Sequence, residues 1–212
     1  MSDGGKPDAA DIWQRYQRVE MELLEQGALE EHAQQAVVTL LEHIGEDPGR
    51  NGLKDTPRRV VKALLEMTRG YQADVATILG VTFDVTFDEM VVLTDIPFNS
   101  LCEHHMLPFT GTATVGYIPG PAGGVVGISK LARLVEAHAQ RLQIQERMTD
   151  DIAKDLNHYL YPKGVGVVIQ AHHQCMSCRG VRLPNTTMIT SALTGAMKDE
   201  PEARAEFLAF TR

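Results

Sequence analysis

The spacing of apolar residues divides this chain of 212 residues into a helical first third and a mixed remainder. From Asp11 to about His43 the pattern is that of a helix. Four apolar residues are spaced for one buried face of it: Val37, Leu40, Leu41 and Ile44. After a loop rich in glycine, Asp55-Thr56-Pro57 predicts the start of a second helix that runs to about Arg69. No strand is expected before about residue 81.

After that point, strand patterns alternate with helical ones. The predicted strands cover Met90–Phe98, Thr110–Ile118, Val125–Ile128, Gly164–His172 and Thr186–Ala192. The predicted helices cover about Ser129–Gln140, Gln145–Tyr161 and Pro201–Phe210. Antiparallel hairpins and a strand–helix–helix–strand order favour an α+β fold over a doubly wound sheet. We therefore predict an N-terminal helical region over residues 1–80 and a second domain over residues 81–212.

Two segments far apart in the chain carry metal-binding residue types: Cys102-Glu103-His104-His105 and His173-Gln174-Cys175. Thiolate sulfur and imidazole nitrogen are ligands that Zn²⁺ prefers. Cys102 and His105 have a Cys-x-x-His spacing, so one tight turn can direct both side chains at one ion. Cys175 is the natural third ligand. Three protein ligands leave a fourth position for water, which is the arrangement of a catalytic zinc.

His104 and His173 would remain beside the metal, where imidazoles can move protons at neutral pH. His173 and Cys175 are two residues apart, so on a strand both side chains would point to the same face. The alternatives are a structural zinc knuckle, or a reduced core cysteine beside surface histidines.

A second group of residues suits an anionic ligand. The segment from Gly127 to Arg133 places a strand end against a helix N-terminus, where free N–H groups attract anions. Ser129, Lys130 and Arg133 add a hydroxyl group and two cations. This is a plausible site for an oligophosphate; the alternative is an ordinary helix start with solvated basic residues.

Three further positions are open to two interpretations. Glu146, next to Gln145, could accept hydrogen bonds from the N1–H and N2–H₂ groups of guanine, or could simply face the helix dipole. Arg179 could bring a guanidinium group to a phosphate beside the metal, or pair with a surface acid. One of Arg58 and Arg59, in the first turn of a helix, could face an anion or another subunit.

Composition limits the class of protein. The net charge of −8 argues against broad nucleic-acid binding. No apolar run approaches the roughly 18 residues of a membrane helix, and the first residues lack the apolar stretch of a secretory signal. Three cysteines do not form a disulfide framework and fit a reducing cytoplasm, which keeps thiols free for metal.

Taken together, the motifs resemble the GTP cyclohydrolase I family over roughly residues 35–197. The matching segments are Asp55-Thr56-Pro57-Arg58-Arg59-Val60, Phe98-Asn99-Ser100-Leu101-Cys102-Glu103-His104-His105, Gly127-Ile128-Ser129-Lys130-Leu131-Ala132-Arg133, Gln145-Glu146-Arg147 and His173-Gln174-Cys175-Met176. The resemblance implies the tunnelling fold, in which an antiparallel sheet is backed by helices. It also implies a homodecamer of two stacked pentameric rings, with active sites at subunit interfaces.

Carried over residue by residue, the resemblance implies roles for twelve positions. The implied zinc ligands are Cys102, His105 and Cys175. The implied proton-transferring residues are His104 and His173. The implied substrate contacts are Glu146 and Gln145 for guanine, and Ser129, Lys130, Arg133, Arg179 and Arg59 for the triphosphate. The implied reaction opens the guanine imidazole ring of GTP and gives 7,8-dihydroneopterin triphosphate plus formate, the first step toward folate and tetrahydropterins.

Two other functions compete with this one. A related tunnelling-fold enzyme could act on another pterin or on a deazaguanine, but such reductases use a lone nucleophilic cysteine without this three-ligand set. A non-enzymatic, zinc-stabilised interaction module would leave Glu146, His104 and His173 without a role.

Overall fold

The computed structural model describes residues 9–83, 85, 87–121 and 124–211, with the backbone alone for 9–20, 22 and 23. The chain forms two compact units, Met1–Glu66 and Met67–Arg212. The domain division predicted at residue 80 stays a prediction. Among the described residues, none of the helices is both long and apolar enough to cross a bilayer.

The first unit contains the helices α1 (Ala9–His43) and α2 (Thr56–Met67), close to the predicted positions. The prediction that four apolar residues form one buried face of α1 is wrong for the single chain. Leu40 is 62% exposed and Ile44 is 71% exposed, whereas Val37 and Leu41 are half-buried. Correct helical spacing therefore does not guarantee burial. A unit built on two helices has little apolar surface with which to cover the apolar face of α1.

The second unit begins with a 3₁₀ turn at Arg69–Gln72 and contains seven strands and six helices among its described residues. The strands are β1 (Thr82–Phe83), β2 (Val91–Cys102), β3 (Pro108–Ile118), β4 (Val125–Val126), β5 (Leu142–Gln143), β6 (Gly164–His173) and β7 (Met188–Gly195). The helices are α3 (Val75–Leu79), α4 (Ile128–Ala139), α5 (Gln145–Leu160), α6 (Gln174–Ser177), α7 (Ala196–Asp199) and α8 (Pro201–Ala209).

The main sheet has the strand order β5-β2-β3-β6-β7. The pairs β2–β3, β3–β6 and β6–β7 are antiparallel, and only the two-residue β5 runs parallel to its neighbour β2. A separate small sheet pairs β1 with β4. The α+β class and the mainly antiparallel sheet backed by helices, as predicted, are confirmed.

Helices α4 and α5 cover one face of this sheet and form the main core with it. Leu131, Leu134, Met148, Ile152 and Leu156 of the two helices pack with strand residues such as Phe109, Tyr117, Val165, Val167 and Ile169. Every second residue of β6 faces these helices, as a strand period of two requires. The core thus holds the first turn of α5 against the ends of β3 and β6.

The opposite face of the sheet is covered by α8 through Phe207, which is fully buried beside Val168 and Met197. Its ring lies against two glycines of neighbouring strands, Gly116 and Gly166. A Cβ atom added at Gly166 would lie 2.5 Å from the ring. These strand glycines therefore form a groove that the aromatic ring fills, since any larger side chain would occupy its volume.

We expect Phe207→Ala to lower the free energy of unfolding by about 3–5 kcal/mol, because it removes a fully buried ring and leaves a cavity. Phe210→Ala is the matched control, since that ring is 49% exposed; its cost should be about 1 kcal/mol or less. Urea unfolding of both variants measures the difference. Equal losses would show that the groove does not depend on its aromatic occupant.

Candidate active site

The first metal-binding segment forms the turn between β2 and β3. The Cys102 N–H donates to the carbonyl of Leu107 (2.9 Å), and the Met106 N–H donates to the carbonyl of Cys102 (2.8 Å). Met106 adopts a positive φ of 54°, which closes the turn. The tight turn predicted from the Cys-x-x-His spacing is therefore present, and Cys102 ends a long strand whose position the sheet determines.

The second segment leaves the sheet one residue beyond the predicted strand end at His172. Strand β6 ends at His173, and Cys175 lies on the short helical turn α6. The Cys178 N–H closes this turn on the carbonyl of Gln174 (3.0 Å). The expectation that His173 and Cys175 share a strand face is thus wrong. The helical turn, rather than the strand period, directs the Cys175 thiol toward Cys102.

The three predicted ligands nevertheless converge. The Sγ atoms of Cys102 and Cys175 and a ring nitrogen of His105 all lie within 4.8 Å of one another. Ligand atoms of a tetrahedral zinc ion are about 3.3–3.8 Å apart, so small side-chain shifts would complete the site. Two thiols and one imidazole are also the donor types that zinc prefers. The three residues therefore form a possible metal site.

The electrostatic surroundings of this site include a strong cation. Burial raises the pKa of the Cys175 thiol, the neighbouring Cys102 raises it further, and the Arg179 guanidinium opposes both. Nη1 of Arg179 lies 3.3 Å from Nε2 of His105. A guanidinium group can only donate, so this ring nitrogen accepts the hydrogen bond. Arg179 thus reaches the edge of the metal site, as its spacing from Cys175 suggested.

The two proton-transfer candidates have different surroundings. His104 is exposed, with Nδ1 lying 3.7 Å from Sγ of Cys102. His173 is half-buried and stacks on Phe109, with ring centroids 4.6 Å apart and planes 2° from parallel. Burial lowers the pKa of His173, and the charge of Glu146 opposes that effect. Sequence reasoning missed Phe109, since only the register of β3 on β6 reveals that it faces His173.

The first turn of α5 supplies the adjoining wall. Gln145 is buried, and its Oε1 accepts a hydrogen bond from Nε2 of His173 (2.8 Å). Glu146 is exposed and close enough to His173 to affect its pKa. Nη2 of Arg147 binds Oε2 of Glu103 in the metal-binding turn (2.6 Å). This ion pair ties α5 to the turn; both residues lie within the recognised motifs, but nothing in their spacing indicated that they would meet.

The predicted phosphate contacts lie apart from these groups. On α4, Ser129 and Arg133 are exposed and Lys130 is half-buried. Within the described part of the chain, no hydrogen bond or ion pair joins these three to the metal-binding turn. Arg133 lines a cavity of about 300 Å³ in front of Phe98 and Asn99 of β2. Arg59 belongs to the first compact unit, where Nη2 pairs with Oδ2 of Asp55 (3.2 Å).

Three potential metal ligands beside two further imidazoles and a carboxylate are typical of enzymes that use a metal for hydrolysis. Residues 33–212 match the GTP cyclohydrolase I family, and the chain belongs to that family. GTP is the substrate of the family. The mainly antiparallel sheet with its helical layer agrees with the tunnelling fold that the motifs predict.

Individual relatives agree with this assignment. A GTP cyclohydrolase 1 of Dehalococcoides mccartyi is 51% identical over 179 residues, which cover 84% of this chain and 95% of the relative. A GTP cyclohydrolase 1 of Gloeobacter violaceus is 53% identical over 174 residues, or 82% and 80% of the two chains. One from Mycobacteroides abscessus is 51% identical over 176 residues, or 83% and 86%. The competing assignments, a deazaguanine or pterin reductase and a non-enzymatic zinc module, lose their basis.

We expect purified protein to carry about one divalent metal ion per chain and Cys175→Ser to lose most of it, because a three-ligand site loses a thiolate. Cys178→Ser is the matched control, as that thiol is exposed and outside the ligand group. Elemental analysis after dialysis measures both. Equal metal retention in the two variants would remove Cys175 from the ligand set.

Proposed function

We propose that this chain is an enzyme that converts GTP and water into 7,8-dihydroneopterin triphosphate and formate. The observation that carries the proposal is the meeting of Cys102, His105 and Cys175 beside His104 and His173 in a chain of this family. The product opens the route to folate and tetrahydropterins. Two water molecules are consumed and one is released when the new ring closes, so one is used overall.

The metal in this proposal is Zn²⁺, held by Cys102, His105 and Cys175. When bound, zinc supplies Lewis-acid chemistry that makes water nucleophilic near neutral pH. The adjacent thiols must stay reduced and must lose their protons to bind the ion. We therefore place the protein in the cytoplasm, where thiols are kept reduced.

The imidazoles supply the protons. C8 of guanine is a poor electrophile until N7 is protonated, and His173 is the residue that we assign to this protonation. Burial lowers the pKa of His173 and the charge of Glu146 opposes that effect, so the negative charge of bound substrate would add to Glu146 in favouring the protonated form. His104, exposed at the turn, handles protons during ring opening and ribose rearrangement. A positioned general acid of this type contributes about 10²–10⁴-fold to the rate.

Glu146 is assigned to guanine recognition. Its carboxylate is exposed, lies in the first turn of α5, and makes no hydrogen bond within the described residues, so both oxygens can accept from N1–H and N2–H₂. The proximity of Glu146 to His173 puts recognition of the six-membered ring next to protonation of the five-membered one. Guanine is then oriented by the residue that also selects it.

The triphosphate is assigned to Ser129, Lys130 and Arg133 at the start of α4, together with Arg179. The free N–H groups of a twelve-residue helix add a partial positive charge there. Arg179 would contribute from the side of the metal site, where its guanidinium group contacts His105. Arg59 is assigned to the same group and would have to leave Asp55 to bind a phosphate.

We also propose assembly into a homodecamer of two stacked pentamers. Two sheet edges support it: within the described residues β7 has no outer neighbour, and β2 pairs on its outer side only at Leu101 and Cys102. The unpaired N–H and C=O groups of such edges are a template for pairing with a strand of another chain. The exposed apolar residues Leu29 and Leu40 of α1, and Ile44 directly after it, offer a further surface for another copy.

The activity is tested by incubating the protein with GTP and measuring formate and the fluorescent oxidised pterin. We expect Glu146→Gln to lower kcat/KM for GTP by up to about 10⁴-fold, since one acceptor becomes a donor that faces the guanine N–H groups. Glu202→Gln is the matched control, because that acid also lies in a first helical turn but on α8. Wild-type protein without formate release would refute the function; an unchanged Glu146→Gln variant would refute the assignment.

Assembly has its own test. Light scattering at working concentration should give a mass near ten subunits. Pairing of β7 with the β2 edge of a neighbour would close each pentameric ring, and two rings would stack. A charged substitution at an exposed β7 position, Ile189→Lys, should reduce this mass. Full activity in a stable monomer would contradict both the assembly and shared active sites.

A further inference from the structure

Gln145 differs from the other predicted substrate contacts in its burial, since only 1% of it is exposed. Its amide nitrogen Nε2 donates to the carbonyls of Ile169 and Met188 and to Oγ1 of Thr190, each at 3.1 Å. The two amide hydrogens are therefore shared among three acceptors. No donor of this side chain is left for a ligand.

The orientation of this amide follows from its partners. Two of them are backbone carbonyls, which can only accept, so the nitrogen must face them and the opposite orientation would set oxygen against oxygen. The hydroxyl of Thr149 donates to the main-chain carbonyl of Gln145 (2.7 Å), so Thr190 donates across the 2.6 Å contact between the two hydroxyls. Oγ1 of Thr190 is then free to accept from the amide. All these hydrogen bonds require the same orientation of the Gln145 amide.

The consequence falls on His173. Oε1 of Gln145 must face Nε2 of His173 at 2.8 Å, and an amide oxygen only accepts. Nε2 therefore carries the hydrogen, and in the neutral ring Nδ1 holds the lone pair. Stacking on Phe109 restrains the plane of the ring at the same time. Within the described residues, Nδ1 has no hydrogen-bond partner.

We propose that Gln145 is a positioning residue that holds His173 in the Nε2–H tautomer and leaves Nδ1 as the nitrogen that exchanges a proton with the substrate. Gln145 thus acts on guanine through His173 rather than by touching it. The part about the substrate rests on the proposed function, whereas the tautomer does not. A purely structural role, as a brace between α5 and the strands β6 and β7, makes different predictions.

The tautomer can be measured on the wild-type, metal-loaded protein without substrate. In protein labelled with ¹³C and ¹⁵N at histidine, solid-state NMR distinguishes the ring nitrogens by the carbons bonded to them, since Nε2 is bonded to Cδ2 and Nδ1 to Cγ. The signals of His173 are those lost in His173→Asn. We expect the hydrogen of neutral His173 on Nε2; a hydrogen on Nδ1 overturns the proposal, whether or not the protein acts on GTP.

Two variants distinguish the positioning role of Gln145 from a purely structural role. Gln145→Met keeps the shape of the side chain but removes its hydrogen bonds. Asn157→Leu is the matched control, because Asn157 lies on the same helix and its amide also binds a helix carbonyl and a threonine of β7, Thr194. Within the described residues, no hydrogen bond joins Asn157 to His173. Both variants should lower the melting temperature.

Only Gln145→Met should alter turnover. We expect its kcat to fall about 10- to 100-fold, as when a partner that orients a functional imidazole is removed. Its metal content and its KM for GTP should stay as in the wild type, and Asn157→Leu should keep the wild-type kcat. A raised KM with unchanged kcat would make Gln145 a substrate contact, and equal kcat losses would make it a brace; either result overturns the proposal. If Gln145→Met does not fold, the wild-type tautomer decides.

Discussion

The antiparallel pairing of β3 with β6 is the constraint on which the site depends. This register places Phe109 opposite His173, at the ends of the two strands. The metal-binding turn precedes β3 directly, and α6 follows β6 directly, so pairing at this one end brings together residues that are about 70 positions apart in the sequence. A slip by one residue would reverse the faces of β6 and separate the two thiols. The buried odd-numbered residues of β6 oppose such a slip, since it would turn Val165, Val167 and Ile169 away from α4 and α5 and toward the face that Phe207 fills.

Much of this arrangement could be predicted from the sequence because its chemistry is local. The Cys-x-x-His turn depends on four consecutive residues, and the strands and helices have clear periods. Cys175 was expected on a strand because one helical turn of four residues is too short to leave a period. The exposure of Leu40 and Ile44 could not be foreseen either, since a helical period shows which residues share a face but not what covers that face.

The hydrogen bonds and the ion pair behind the site could not be predicted either, for a different reason. The amide of Gln145 depends on carbonyls of Ile169 and Met188, and any residue type provides a carbonyl. The pair of Arg147 and Glu103 joins two motifs through side chains that are ordinary at a surface. Through that pair, a shift of the metal-binding turn would be transmitted to the helix that carries Glu146. The possible metal site and the proposed guanine contact are thus connected by an ion pair that neither motif shows alone.

The groove filled by Phe207 has a consequence for the order of folding. Helix α8 follows every strand in the chain, whereas α4 and α5 are made between β4 and β6. During synthesis the helical side of the sheet can therefore form its core first, while the side lined by Gly116 and Gly166 stays open to water until Phe207 has left the ribosome. Through that interval the nascent sheet presents an apolar surface to any neighbour. Packing of the aromatic ring can therefore complete this side of the core only after all the described strands have been made.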